Sequence, residues 1–308
     1  MINKKARDVE SFRRVFYQTE SAREAWKKSI EELKLQHPYL KVLLPAYIGW
    51  SKNEGSGIFD TVSETGVDFE FYGLNAHLEI DVEDLKRKVL INPNCLVLLV
   101  HYFGFVDESY EMIVTWLYEK SILFVEDCAH AWLSDLIGGK CGRRGRFSFY
   151  SLHKLLPVDN GGVLVDNYPT VRINENRMKT MNCFFNLDYD LFSIFESRRE
   201  NYRYLCDLLS EIKDIDILHK QLPDGICPQT LPVIINGYDR NKCYQEMNSL
   251  GFGVISLYHT MIKELENTEY ETVNVISKKI LNFPIHQDIK KEHIQEMVRV
   301  FKKNCYGI

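Results

Sequence analysis

The chain has 308 residues, 45% of them hydrophobic and 26% charged, with a formal net charge of −5. This is the balance of an ordinary globular protein with one large domain or two unequal ones. The negative charge and the scatter of Lys and Arg argue against a nucleic-acid surface, and no run of about 18 apolar residues is present to span a membrane. The eight cysteines lack the close spacing of a zinc site, and the N-terminus lacks the apolar core of a signal peptide. We therefore expect reduced, buried thiols, no metal site and a cytoplasmic address.

Residues 11–36 carry Phe12, Val15, Phe16, Ala22, Ala25, Trp26, Ile30 and Leu33 at near-helical spacing, which predicts helix on either side of an interruption at Thr19-Glu-Ser21. Ser21 followed by Glu24 has the form of a capping box, so a second helix is expected to start there. Leu40 to Ala46 reads as a short buried strand, and 49–57 as a glycine- and serine-containing loop. The stretch 58–89 reads as helix, strand (68–72) and helix (82–88). Cys95 to His101 is a continuous apolar run, the pattern of a strand buried on both faces. A helix (108–120) and a second buried strand (121–127) follow. Strand, helix, strand at this spacing predicts a right-handed crossover and a mostly parallel sheet, with ligands beyond the carboxyl ends of its strands. Asp127 lies at such an end.

After Gly162 the pattern predicts a long helix (192–212), a strand (230–235), a helix (240–250), a strand (254–258), a helix (273–279), a short strand (281–284) and a last helix (291–303). This is expected to be a smaller C-terminal α/β domain, so the division is drawn as 1–190 and 191–308.

The most informative segment runs from Phe124 to Gly162. A hydrophobic strand ends in Glu126-Asp127. Lys154 follows 27 residues later, after an aromatic, serine-rich strand, and Gly161-Gly162 closes the segment. An acid to charge a ring nitrogen, a lysine to form an imine and nearby serines are the parts that pyridoxal phosphate chemistry requires.

These residues resemble the DegT/DnrJ/EryC1/StrS family of sugar aminotransferases. Leu96-Val-Leu-Leu-Val-His-Tyr-Phe-Gly104 is similar to the family's strand running into a histidine-containing turn. Val125-Glu-Asp-Cys-Ala-His130 is similar to its acid-bearing strand. Gly142, Gly145, Ser148, Ser151, Lys154, Gly161 and Gly162 follow its lysine segment, and Leu281-Asn-Phe-Pro-Ile-His286 its late turn. The resemblance implies the α/β fold type I of pyridoxal phosphate enzymes: a mostly parallel central sheet flanked by helices, with a smaller C-terminal domain. The chain departs from the family in its shortness and in lacking the glycine-threonine turn for the cofactor phosphate, where Thr19-Glu-Ser-Ala-Arg-Glu-Ala25 stands instead. The stretch after Gly162 is also compressed. We read Asn176-Arg177 there as a coincidence rather than a remnant of the family's asparagine-arginine motif.

On this reading Lys154 is the imine-forming lysine, which must be kept neutral to act as a nucleophile. Its plain alternative is a surface lysine after a strand. Asp127 is expected to face the pyridine nitrogen; its alternative is a helix N-cap. Glu126 should point the other way, because successive strand residues face opposite sides. By resemblance His130 stacks on or hydrogen-bonds the cofactor, where other members often have glutamine; a structural histidine is the competing reading. Ser148 and Ser151 compete for the phosphate, with Ser151 favoured by proximity. Ser21 and Ala22 offer backbone N–H groups at a helix N-terminus, a natural anion site, although capping alone explains Ser21 equally well. Arg23 either adds charge there or lies on the surface. Tyr47 is preferred over Trp50 as the aromatic stacked on the ring. His101, His259 and His286 receive no role.

The resemblance implies a pyridoxal phosphate-dependent aminotransferase moving an amino group from an amino acid, glutamate by expectation, to a nucleotide-linked keto-sugar in glycan or secondary-metabolite biosynthesis. It also implies a homodimer. Two alternatives stand beside it. One is a pyridoxal phosphate enzyme of other chemistry, such as sugar dehydration, although family dehydratases carry histidine in place of the lysine. The other is a non-catalytic member that binds a ligand or regulates a partner.

Overall fold

The computed structural model describes residues 14–169, 188–266 and 268–306. Its first half is built on β1 (Val15–Thr19), α1 (Ala22–Gln36), β2 (Lys41–Pro45), α2 (Phe59–Thr65), β3 (Asp68–Tyr72), α3 (Val82–Ile91), β4 (Cys95–Val100), α4 (Tyr110–Glu119), β5 (Leu123–Asp127), α5 (Trp132–Leu136), β6 (Phe147–Ser151) and β7 (Gly162–Asp166). The seven strands form one sheet in the order β1-β7-β6-β5-β4-β2-β3. The run from β6 to β3 is parallel, while β7 and β1 close one edge in antiparallel pairing. This is the mostly parallel, helix-flanked sheet that the spacing predicts. Leu96, Val97, Leu98 and Leu99 of β4 are all buried, because helices cover both faces of the sheet.

Residues 15–19, expected to be helical, form β1 instead. Tyr17 and Thr19 are buried and Gln18 is exposed, an alternation of period two that five residues cannot separate from a helical turn. What decides it is the partner: β1 pairs along its whole length with β7, Val15 opposite Asp166 and Thr19 opposite Gly162. The helix then starts where the capping box predicts. The Ser21 hydroxyl accepts from Glu24 N at 3.1 Å, while the Glu24 carboxylate reaches back to Glu20 N at 2.6 Å rather than to the cap residue itself. Ala25, Trp26, Ile30 and Leu33 form the buried face of α1. The Trp26 ring stacks on Phe149 of β6 with centroids 5.7 Å apart.

The second half comprises α6 (Leu191–Leu209), β8 (Ile215–Ile217), β9 (Thr230–Ile235), α7 (Arg240–Ser249), α8 (Glu271–Lys279), β10 (Ile280–Pro284), α9 (Lys291–Phe301) and a π-helical turn (Lys302–Tyr306). Its three strands make a separate antiparallel sheet in the order β10-β9-β8. The strand expected at 254–258 is reduced to one bridge between Ile255 and Asn282. The ladder stops because the next backbone donor, Leu257 N, goes to the Asn282 side chain at 2.9 Å instead of to the β10 backbone.

The pleat of β5 sends its last two carboxylates to opposite faces. Glu126, fully buried, receives His101 Nε2 (3.0 Å), the Tyr110 hydroxyl (2.9 Å) and the backbone N–H groups of Gly142 (2.6 Å), Arg144 (2.9 Å) and Gly145 (2.8 Å). It thereby pins the 142–145 turn that delivers β6. Burial alone would raise its pKa, but His101 and the N–H groups of Gly145 and Gly142 overrule burial and hold it at about 2. A carboxylate depressed in the folded state contributes stability above its unfolded value and loses it as pH falls through the folded one. The window here runs from 4.5 down to about 2.

Glu126→Gln therefore costs about 3–5 kcal/mol at neutral pH, because the donors lose their anion inside the core. The difference between variant and wild type narrows as pH drops through that window, which urea melts at neutral and acidic pH will record. Gly162 is a second constraint: a Cβ there would stand 2.2 Å from the Ser21 carbonyl carbon and 2.6 Å from Ala22 N. Gly162→Ala is expected to lower the urea midpoint by the equivalent of about 1–3 kcal/mol, since backbone on both sides must move apart.

Candidate active site

Asp127, at the end of β5, is buried on the face opposite Glu126. One carboxylate oxygen accepts from Ala129 N at 2.8 Å. The other takes no hydrogen bond among the described residues. Burial pushes this acid's pKa up, against the pull of the Ala129 N–H and the charges of Lys154 and His101. Such an oxygen can accept from a proton donor, and a pyridinium N–H is one that fits.

Lys154 lies in the turn between β6 and β7. Burial pulls its pKa below the usual lysine value, while Asp127 and Glu54 oppose that pull. Its Nζ is 2.7 Å from Nε2 of His130. His130 is itself buried, its Nδ1 accepts from Phe103 N at 3.2 Å, and its ring lies nearly parallel to that of Phe103, 6.3 Å away. Lys154 and His130 thus meet, and Asp127 lies near enough for the charges of the acid and the lysine to act on each other.

The two candidate serines are separated by the pleat of β6. Ser148 lies on the Glu126 face, where its hydroxyl donates to the Gly142 carbonyl at 2.9 Å and meets the Tyr150 hydroxyl at 3.0 Å. That buried network, which also holds Asp135 and Arg14, occupies it fully, so Ser148 is withdrawn as a phosphate ligand. Ser151 is buried at the strand end, opposite Gly162, with its hydroxyl 3.2 Å from His153 Nδ1. Gly162 in turn packs on Ser21 and Ala22, so Ser151 and the N-terminus of α1 share one corner. The Ser21 hydroxyl is used by its own helix. Arg23 donates to the Glu54 carbonyl, which ties this corner to the loop whose Glu54 charge acts on Lys154.

Tyr47 departs from expectation. Its hydroxyl donates to the Leu257 carbonyl at 3.0 Å and accepts from Tyr258 N at 2.7 Å. Its ring packs on Tyr102 and Tyr258. Tyr47 thus clasps the C-terminal part of the chain and is not free to cover a cofactor ring; Trp50 is 45% exposed. Asn176-Arg177 lies outside the described residues.

Sequence reasoning misses two contributors. One is Phe103, whose backbone N–H fixes His130; its left-handed φ of 56° is an uncommon conformation for a bulky residue. The histidine-containing turn stands out in the sequence, but nothing in it signals that geometry. The other is Arg198 of α6. Its guanidinium is buried and donates to the carbonyls of Gln229 (3.1 Å) and Leu155 (3.5 Å) and to Gln287 Oε1 (3.2 Å), which ties the lysine turn to the C-terminal part. Three separated residues, His101, Cys128 and Cys141, also converge to within 4.8 Å in the core. A cavity of about 1130 Å³ opens beyond β2, β3 and β4, beside Tyr72, Tyr102, His77 and His219; neither Lys154 nor Asp127 lines it.

The residues fit pyridoxal phosphate. They provide an amine held below its usual pKa, a buried carboxylate with an open oxygen, and a corner where a helix N-terminus meets a strand-end hydroxyl. Lys154, Asp127 and His130 would hold the ring end; Ser151 and the α1 terminus would hold the phosphate.

A comparison with curated proteins returns no match. Solved structures match closely in shape. PseC of Helicobacter pylori, an aminotransferase involved in the biosynthesis of pseudoaminic acid, has a TM-score of 0.74 at 16% identity, covering 96% of this chain and 87% of that one. DesV of S. venezuelae, solved in complex with a ketimine intermediate, has a TM-score of 0.74 at 14% identity, covering 94% and 84%. ColD, a GDP-4-keto-6-deoxymannose-3-dehydratase solved as a point mutant with bound GDP-perosamine, has a TM-score of 0.72 at 16% identity, covering 93% and 88%. At such identities the likeness is one of fold. The sequence adds to it, because residues 59–186 match the DegT/DnrJ/EryC1/StrS aminotransferase family. That stretch contains Asp127, His130 and Lys154, and over it the chain is similar to this family of aminotransferases.

Proposed function

We propose that the chain transfers an amino group from glutamate to a nucleotide-linked keto-sugar, with Lys154 as the catalytic residue. The observation that carries this reading is the Lys154 amine, drawn out of water beside His130 and within the field of Asp127. When bound, pyridoxal phosphate supplies an aldehyde carbon and an electron-accepting ring. Asp127 would hold a proton on the ring nitrogen. Lys154 Nζ would take the proton from the donor's α-carbon and give it back, acting first as base and then as acid. The Ser151 hydroxyl and the backbone N–H groups of Ser21 and Ala22 would bind and orient the phosphate.

The dehydratase alternative needs a histidine as the base. His153 precedes Lys154 but is exposed and turned to Ser151, whereas the Lys154 amine faces the buried His130. This favours amino transfer over sugar dehydration. The reading extends to a cytoplasmic homodimer working in glycan or secondary-metabolite synthesis, with 1–190 as the cofactor domain and 191–308 as the smaller one.

Purified protein mixed with pyridoxal phosphate is expected to develop the visible band of a lysine Schiff base. With glutamate it should yield 2-oxoglutarate and lose that band. Lys154→Ala should abolish the band and reduce 2-oxoglutarate formation on the order of 10²–10⁴-fold. Asp127→Asn should keep the band but slow turnover on the order of 10²–10³-fold, as loss of a preorganised charge does. A wild-type protein that forms no band would overturn the proposal.

A further inference from the structure

On the reading above, Lys154 and His130 have separate tasks, one covalent and one steric. Their geometry joins them. The Phe103 N–H points at Nδ1 of His130 from 3.2 Å, so that nitrogen carries a lone pair and no proton. A neutral imidazole has one N–H, which must then sit on Nε2. Nε2 faces Lys154 Nζ at 2.7 Å. An ammonium has three protons and no acceptor, so an ammonium at that distance would set proton against proton. A free amine presents its lone pair to the Nε2–H and completes the bond.

We infer that His130 is a positioning residue that stores Lys154 as the free amine, its Nε2–H donating to the Nζ lone pair in the tautomer set by the Phe103 backbone. The inference rests on the proposed role of Lys154 and deepens it. A free amine can attack the aldehyde carbon directly: the new C–N bond forms from the Nζ lone pair, and the aldehyde oxygen leaves as water with the two amine hydrogens. No external base has to strip a proton first. The charged and titratable groups that act on Nζ come from several elements: His130 in contact with it, and at longer range Asp127 at the end of β5, His153 on the same turn and Glu54 on the 49–57 loop. Arg198 of α6 donates to the neighbouring Leu155 carbonyl, to the Gln229 carbonyl and to Gln287 Oε1 rather than to Lys154 or His130. Asp127 and Glu54 both favour the ammonium, so the histidine donor and the dry surroundings must outweigh two acids.

The Phe103 conformation has a part in this arrangement. Its left-handed backbone turns the N–H toward the imidazole, and Gly104 behind it (φ 92°) lies so close to Cys227 that a Cβ would stand 2.4 Å from that carbonyl oxygen. Gln229 N also donates to the Phe103 carbonyl at 2.7 Å. The donor that selects the tautomer is therefore braced from the C-terminal part of the chain.

Two measurements on the full chain test the inference. In the first, ¹⁵N-histidine-labelled wild-type protein is studied by NMR without cofactor, with the His130 signal assigned by its loss in His130→Gln. The expected pattern is a protonated Nε2 and an unprotonated Nδ1 at neutral pH. A protonated Nδ1, in the opposite tautomer or in an imidazolium, overturns the inference whether or not any variant folds. In the second, the rate at which added pyridoxal phosphate develops its visible band is followed against pH in wild type, His130→Leu and His130→Gln, with Lys154→Ala as blank. His130→Leu should move the midpoint upward toward the ordinary lysine value, about 10.4. Each unit of that shift slows the neutral-pH rate about tenfold. His130→Gln, which keeps an amide donor, should return toward wild type. An unchanged midpoint in His130→Leu, or equal displacement in both variants, overturns the inference. If wild type forms no band beyond the Lys154→Ala blank, the proposed function fails instead, and the tautomer measurement still decides the His130 arrangement.

Discussion

The alternation of β5 is the constraint on which the rest depends. Two adjacent acids at one strand end are driven to opposite faces of the sheet. Glu126 meets five donors and becomes a structural anion that locks the 142–145 turn. Asp127 meets one backbone donor, and its other oxygen takes no hydrogen bond among the described residues. The two carboxyls are one residue apart in the chain, yet their environments hold one well below the carboxylate range and push the other up. Separation of this kind is how a fold assigns different tasks to identical groups.

The lysine turn depends on this division. With Glu126 fixing the entry to β6, the strand runs beside β5, Phe149 opposite Asp127, and carries Ser151 and then Lys154 beyond the carboxyl edge. Gly162 allows β7 to approach α1 so closely that the helix N-terminus and the serine share one corner. Arg198 reaches across from α6 to the Leu155 carbonyl, and Tyr47 reaches the other way to Leu257 and Tyr258. The site is thus held between the large sheet and the C-terminal part by hydrogen bonds to backbone atoms. Those partners change little with side-chain identity, which suits a fold shared at 14–16% identity.

Much of this is legible in the sequence. The buried strands β4 and β5 announce themselves as apolar runs, and the long helix α6 by its periodicity. The placing of Asp127 follows from the rule that parallel strands present ligands at their carboxyl ends. The misses have a common cause. β1 is five residues long and the expected strand at 254–258 is a single bridge, and at that length period two and period 3.6 look alike. Their assignment depends on which neighbour offers a free edge: β7 offers one to β1, while Asn282 ends the pairing near Ile255. Tyr47 escapes a sequence reading for a similar reason, because its partners lie 210 and 211 residues away.

By itself the sequence determined the buried strands β4 and β5, the acid at the end of β5, and a lysine placed between a serine-bearing strand and a double glycine. Local pattern suffices for these, since each is a matter of spacing along one chain. The tertiary structure alone decided that Ser148 turns into the core while Ser151 stays at the strand end opposite Gly162, that the Phe103 N–H reaches His130 across 27 residues, and that His130 meets Lys154 across 24. Whether an amine carries a proton depends on the water removed from it and the donors aimed at it, and strands brought side by side from distant parts of the chain supply both.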